Sequence, residues 1–364
     1  MSSKIEELII PKKATISEII EYIKILINKS EKLKIITNRE NSIISTQAAQ
    51  SLVDLGYVKY DNIQTKTDIE DNRRNVKLII TLKKMKNLNM FNENTKNKNY
   101  IKGEIEIKKY LDVSRKIIDG FREDCEIYIN NIKVKRNFIS YYKFPKEGTY
   151  SMIYAFNKKL SSAHSMFYEC DKIKSLDFSN FDSQNITDTQ FMFRDCNNLT
   201  NINLSNFNTQ KVTDMYQMFV GCSSLTNLDL SNFNTENVTS MGCLFSGCCS
   251  LKNLDLSKFN TKNVTSMRAM FADCYSLINL DLSNFDGKNV ENTDDMFNGC
   301  DSLTNIDLSN FSGENVRHMN NMFDGCNSLT NIDLSNFNGI SVENRIDIFN
   351  GCNSLIKKNK YLIY

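Results

Sequence analysis

The sequence predicts an α/β multidomain chain in three parts: a small βαβαββ head, a short β-rich segment, and a solenoid of eight 26-residue coils whose strands form a parallel sheet. Three observations predict it. Eight cysteines, Cys170, Cys196, Cys222, Cys248, Cys274, Cys300, Cys326 and Cys352, stand 26 residues apart without one insertion or deletion. A Leu-x-Leu alternation and a Met-x-x-Met-Phe segment recur at the same interval, and so strict a period means stacked copies of one coil. Over the first 85 residues, short apolar runs with period two alternate with stretches of helical period. At 364 residues the chain exceeds what one hydrophobic core usually organises.

In the head, residues 5–10 (Ile-Glu-Glu-Leu-Ile-Ile) suit a first strand. Thr15 and Glu18 form a capping box that opens a helix, with Ile16, Ile19, Ile20, Ile23 and Ile27 along one face. Leu33 to Thr37 is a second strand. Asn41 or Ser42 caps a second helix carrying Ile44, Ala48, Leu52 and Leu55, and Gly56 stops it. Residues 58–67 and 76–84 form a hairpin with Asp71-Asn72 at its tip. This order, with Pro11-Lys12-Lys13 ahead of the first helix, resembles the Alba family of DNA- and RNA-binding proteins over residues 4–85. The resemblance implies a head, residues 1–86, that grips nucleic acid, RNA before DNA, through Lys12, Lys13, Arg39, Arg73 and Arg74. It also implies a homo- or heterodimer through the head. Lys and Arg on phosphate give salt-dependent binding of little sequence preference. The same scaffold kept only for dimerisation is the alternative.

Residues 87–100 are rich in Asn and Lys and read as a linker. Between 101 and 159 the pattern is strand-like at Gly103–Ile107, Cys125–Ile129, Tyr141–Phe144 and Tyr150–Tyr154. A solenoid exposes the apolar face of its first coil, so this segment is expected to cap it; an independent ligand-binding module is the other reading.

The solenoid is expected over 160–356, with 357–364 as a tail. Each coil carries a Phe three residues before its Cys, from Phe167 to Phe349, and then a Leu-x-x-[Leu/Ile]-x-Leu-Ser-x-Phe register, as at Leu225–Phe233. The two Leu flanking one polar residue point inward from a short strand. The Met-x-x-Met-Phe-x-x-Cys spacing suits a helical turn. Stacking would bring equivalent side chains to about 4.8 Å. The pattern matches leucine-rich-repeat architecture. At 224–248 and 303–326 it also closely resembles the BspA-like leucine-rich-repeat surface proteins, a family that implies partner binding or adhesion.

The cysteine column reads as a core of free thiols. One aligned thiol per coil offers no unique disulfide partner, and there is no Cys-x-x-Cys with nearby His to hold a metal. Between the two inward positions stand Asp177, Asn203, Asp229, Asp255, Asp281, Asp307 and Asp333, with files of Ser from Ser179 to Ser335 and of Asn from Asn201 to Asn331 beside them. Like charges a few ångströms apart repel. Either the neighbouring Ser and Asn compensate them, or Asp177, Asp229, Asp255, Asp281, Asp307 and Asp333 form a binding face for a basic protein segment or cations. Asn-x-Thr sequons at Asn185, Asn198, Asn237 and Asn263 would matter only in a secreted chain.

Charge divides by region. Residues 1–100 carry 18 basic and 12 acidic groups, 101–159 carry 13 and 8, and 160–364 carry 14 and 23. A basic head ahead of an acidic remainder suggests two kinds of partner. With two His, no Trp, no phosphate-cradling glycine loop and no nucleophile–base set, the expectation is a non-enzyme without cofactor or metal. No signal peptide or membrane segment is legible, so an intracellular place, cytoplasmic before nuclear, is expected. The reading is a nucleic-acid-binding adaptor whose solenoid recruits a protein partner. Its rival is a BspA-like interaction or adhesion protein whose head only dimerises.

Overall fold

The computed structural model describes residues 5–9, 32–37, 58–67, 76–84, 99–107, 115–116, 125–130, 132–133, 141–142, 148–334 and 346–358. They are mostly strand and turn; among them the one helix is short, Asn353–Lys358. The chain divides into two compact units: Met1–Asn92 with Tyr128–Arg136, and Glu93–Ile127 with Asn137–Tyr364.

The first unit holds β1 (Ile5–Ile9), β2 (Lys32–Thr37), β3 (Val58–Thr67) and β4 (Val76–Lys84), within a residue of the strands expected from the apolar runs. They form one mixed sheet of order β1-β2-β4-β3. β1 and β2 run parallel, Ile5 opposite Lys32 and Ile9 opposite Ile36, which requires a crossover between them. β4 is antiparallel to both β2 and β3. The two expected helices lie outside the described residues. So do residues 87–98 of the expected linker and 359–364 of the expected tail; Tyr100, placed in the linker by composition, instead begins a strand, and Lys357 and Lys358 end the short helix.

In chain order there follow β5 (Tyr100–Ile107), β6 (Arg115–Lys116), β7 (Cys125–Ile129), β8 (Ile132–Lys133), β9 (Tyr141–Tyr142) and β10 (Gly148–Phe156), of which β8 and the last two residues of β7 fall in the first unit. Within the second unit, β5 runs antiparallel to β10. On its other edge β5 pairs antiparallel with β11 (Ile173–Asp177), the first strand of the repeat region. Tyr154 meets the Phe167 ring edge-on at 5.2 Å, and Phe156 meets Phe181 at the same distance. Asn99 adds polar fasteners, accepting the Asp182 N–H at 2.9 Å and donating to the Lys158 carbonyl. Strands from the segment 99–156 thus cover the outer side of the first repeat.

Successive repeats then stack in register. β11 pairs parallel with β12 (Asn201–Asn203), and β13 (Asn279–Asp281) with β14 (Asn305–Asp307), residue i always opposite residue i + 26. A second line of parallel bridges runs Ser162, Asp188, Asp214, Ser240, Ser266, Asn292, His318. Both Leu-x-Leu positions point inward: Leu228, Leu254 and Leu280 are buried, as are Leu230, Leu256 and Leu282. The Phe rings before each Cys stack face to face at 5.1–6.0 Å from Phe167 to Phe349. Each repeat leaves its apolar faces to its neighbours, so burial accumulates only by stacking.

The segment before each Cys is not the helical turn that its Met-x-x-Met-Phe spacing suggests. It is a run of turns in which alternate N–H groups point to different partners. Those of Thr189, Phe191, Phe193 and Asp195 reach the carbonyls of Asp214, Tyr216, Met218 and Val220 in the next repeat at 2.7–3.1 Å. Those of Met192, Arg194 and Cys196 turn back to Thr189, Phe191 and Phe193 in their own repeat. Positive φ recurs at two positions, five residues and one residue before each Cys, as at Phe191 and Asp195. That reversal breaks the α-helix and turns half of the N–H groups outward to the neighbouring repeat.

Candidate functional site

The aspartate file lies on the polar side of the short parallel strands. Asp229, Asp255, Asp281, Asp307 and Asp333 are exposed and Asp177 is half-exposed. In-register pairing puts Asp281 directly opposite Asp307 and Asp177 opposite Asn203. Asn279, Leu280, Asp281, Ser283, Asn305 and Asp307 line a shallow open depression there.

Each carboxylate also has a local task. Oδ1 of Asp229, Asp255, Asp281 and Asp307 accepts the backbone N–H of Ser231, Ser257, Ser283 and Ser309 at 2.9–3.0 Å. Asp177 does the same for Ser179 and also accepts from Asn203 Nδ2 at 2.9 Å. These are Asx turns, in which the side chain closes the chain reversal after the strand. The Ser231 and Ser257 N–H groups hold the carboxyls of Asp229 and Asp255 below their ordinary range, and the Ser283 hydroxyl does so first for Asp281. One oxygen of each of these five Asp is therefore committed to the turn, while the carboxylate stays at the surface. The serine file compensates the charge, one of the two expected readings. Binding at the same face is compatible with it, since the turn occupies Oδ1.

Lys12, Lys13, Arg39, Arg73 and Arg74, the expected nucleic-acid contacts, lie outside the described residues. Among the described residues, no group of three or more His, Cys, Asp or Glu is placed to hold a metal ion. No helix there is long and apolar enough to cross a membrane.

The cysteine column is structural. Each Sγ from Cys196 to Cys352 donates to the carbonyl of the Phe 29 residues earlier, at 3.0–3.2 Å, as Cys248 does to Phe219. That carbonyl also accepts the Cys N–H of its own repeat, as Phe219 does from Cys222. A small apolar side chain with one weak donor fits this position. All eleven thiols are free. Burial pushes Cys300 up to about 12 and Cys222 and Cys274 well above the usual thiol range, so they stay neutral.

Three of the sequon asparagines are also rungs. Asn198, Asn237 and Asn263 donate Nδ2 to the carbonyls of Asp171, Gln210 and Glu236 in the preceding repeat at 2.6–2.8 Å. The sequence reading missed a further face, on which Phe191, Arg194 and Tyr216 meet. Its signal is departure from the repeat: one residue before Phe191, the equivalent positions carry Gln190, Tyr216, Gly242, Arg268 and Asp294.

No match was found among curated proteins or among solved structures. Residues 161–279 and 272–361 match the family described as Mycoplasma protein of unknown function, DUF285. Those two spans are the stacked repeats themselves and make up more than half of the chain, which therefore belongs to the DUF285 family.

Proposed function

We propose that this protein is a non-enzymatic adaptor. Its repeats form a leucine-rich-repeat solenoid of BspA-like kind, eight coils long, that recruits a protein partner on the aspartate face. The observation that supports it is the in-register sheet face, where Asn, Asp and Ser repeat at 26-residue intervals and each Asp keeps an ionised carboxylate at the surface. A basic protein segment complements such a face. The head, read as Alba-like, binds nucleic acid, RNA in preference to DNA, through Lys12, Lys13, Arg39, Arg73 and Arg74. Its support is the positive balance of residues 1–100 against the negative balance of 160–364.

Binding of mixed-sequence RNA and DNA by the full chain, followed across salt concentrations, tests the head. Binding is expected at about 50 mM salt with release as salt rises. Changing Lys12, Lys13, Arg73 and Arg74 to Ala should flatten the slope of log affinity against log salt by about 0.7 to 0.9 for each phosphate no longer neutralised. Absence of binding at low salt would overturn the nucleic-acid part. It would leave the rival in place, an interaction or adhesion protein whose head serves dimerisation.

A further inference from the structure

We propose that the partner is held where β13 and β14 pair, by a segment in which an apolar residue stands beside lysines or arginines. The basic side chains sit on Asp281 and Asp307, and the apolar one covers the exposed turn of Tyr275 and Ile278. This rests on the adaptor reading; it gives the aspartate face a place on the stack and its partner a sequence pattern. Among the described residues, the exposed large hydrophobic side chains are Tyr275, Ile278 and Ile346. Two of the three thus fall on one turn, the turn that leads into β13.

Both side chains depart from the repeat. Positions equivalent to Ile278 carry Thr200, Thr226, Thr304 and Thr330, and positions equivalent to Tyr275 carry Asn197, Ser223, Asp301 and Asn327. Both are also held in place. The Ile278 N–H donates to the Lys252 carbonyl at 3.1 Å and its carbonyl accepts the Thr304 N–H at 3.2 Å, so its backbone is tied to both neighbouring repeats. The Tyr275 hydroxyl donates to Asp273 Oδ1 at 2.8 Å, and a Cβ on Gly299 would stand 3.3 Å from the ring. The ring therefore lies along the next repeat, yet Tyr275 stays 46% and Ile278 39% exposed. Single exposed apolar side chains are ordinary on a surface; two fixed on one turn, beside a charged face, form a patch that gains by being covered.

The charge beside this turn decides what the partner carries. Ile278 adjoins Asn279, which with Asp281, Ser283, Asn305 and Asp307 lines the depression on the sheet face. Asp281 stands opposite Asp307 in register, and among the described residues neither forms an ion pair. Elsewhere in the file a cation is near. Lys102 lies opposite Asp177 in register, and Lys258 joins the Ser257 N–H and hydroxyl in holding the Asp255 carboxyl low. Asp281 and Asp307 have Asn284 and Asn310 at the place where Asp255 has Lys258. Two adjacent carboxylates in that setting favour lysine or arginine from outside and repel an acidic segment. Lys252, equivalent to Ile278 one repeat earlier, disfavours a cation on the turn itself, which leaves that place to an apolar side chain.

The test uses the full chain and two labelled, acetylated peptides of equal charge, Lys-Leu-Lys-Leu-Lys and Lys-Ser-Lys-Ser-Lys. Anisotropy is read at about 50 mM salt, where surface charge is little screened. Wild type should bind the Leu peptide about threefold or more tighter than the Ser peptide. The double variant Ile278→Thr with Tyr275→Asn takes residues that other repeats already carry there. It should fold, bind the Ser peptide like wild type and lose the preference for Leu. Asp281→Asn with Asp307→Asn should weaken binding of both peptides, and more than Asp229→Asn with Asp255→Asn does. Equal binding of the two peptides by wild type would overturn the inference and leave the adaptor reading in place, whereas binding of neither would overturn both. A preference for Leu that survives in the folded double variant, or a loss that follows Asp229 and Asp255 instead, would place the segment elsewhere on the stack and overturn the inference as well.

Discussion

Two residue types repeated through the stack carry tasks that exposure alone would not suggest. Aspartates at the strand ends hold turns closed, and an Asn does this as well as an Asp, since Asn203 Oδ1 accepts the Ser205 N–H at 3.1 Å. Asp281→Asn keeps that acceptor and gives up only the charge, so it should lower the melting temperature slightly at most. Asp281→Ala should lower stability by about 1 kcal/mol, the worth of one turn hydrogen bond. An equal effect of the two would mean that the carboxylate matters as a charge. Because the folded-state carboxyls of Asp229, Asp255 and Asp281 are held low, their contribution is present above the unfolded carboxylate range near 4. It is lost as pH falls through their lowered values. The thiols make a sharper prediction. Nine of the eleven are buried, and Cys243 and Cys249 are half-exposed. A thiol reagent without reductant should label close to eleven in denaturant and about two in the native state, given that buried neutral thiols are inert. Native labelling of the column would show that the stack opens easily.

At the scale of one repeat, a second buried polar ladder ties neighbours together. The hydroxyl of Thr235 accepts the N–H of Asn260 in the next repeat at 2.7 Å and donates to the Asn260 carbonyl at 2.9 Å. Thr209 does the same with Asn234. Thr235→Val keeps the shape but strands both groups, and should cost about 1–3 kcal/mol by thermal or urea unfolding. Thr235→Ser keeps the hydroxyl, as Ser183 does for the Asn208 N–H, and should cost less. In later repeats this position is glycine: a Cβ on Gly287 would stand 2.5 Å from the Phe311 ring. The strands of such repeats were legible because inward Leu and outward Asp alternate with period two. The turn run was not, because Met and Phe at intervals of three look alike in a helix and in a succession of turns. The residue forced to positive φ five before each Cys is Ser165, Phe191, Gln217, Cys243, Ala269, Asp295, Asn321 or Asp347, types that announce nothing. Packing between repeats imposes that conformation. Gly221, Gly247, Gly299, Gly325 and Gly351, one before the Cys, were the local hint. The aspartate face was legible from its periodicity, and the meeting of Phe191, Arg194 and Tyr216 was hidden because it departs from the repeat.

For the repeat region as a whole, stability is shared between each repeat and its two neighbours, so the cost of a substitution depends on where in the stack it falls. Phe245 is fully buried between Phe219 at 5.9 Å and Phe271 at 5.7 Å. Phe349, in the last repeat described, is half-buried and stacks on Phe323 at 5.7 Å. Phe245→Ala removes ring packing across two interfaces and should destabilise by about 3–5 kcal/mol, lowering the midpoint of unfolding for the stack. Phe349→Ala disturbs one interface, where Gly325 N–H meets the Asn350 carbonyl and Cys352 Sγ meets the Phe323 carbonyl. Its main effect should be faster amide hydrogen exchange confined to the amides around Gly325 and Cys352, with a much smaller change in midpoint. Comparable midpoint shifts for the two variants, or exchange that quickens across every repeat in Phe349→Ala, would mean that the stack unfolds as one indivisible unit. Local fraying at its end would then carry no separate free energy.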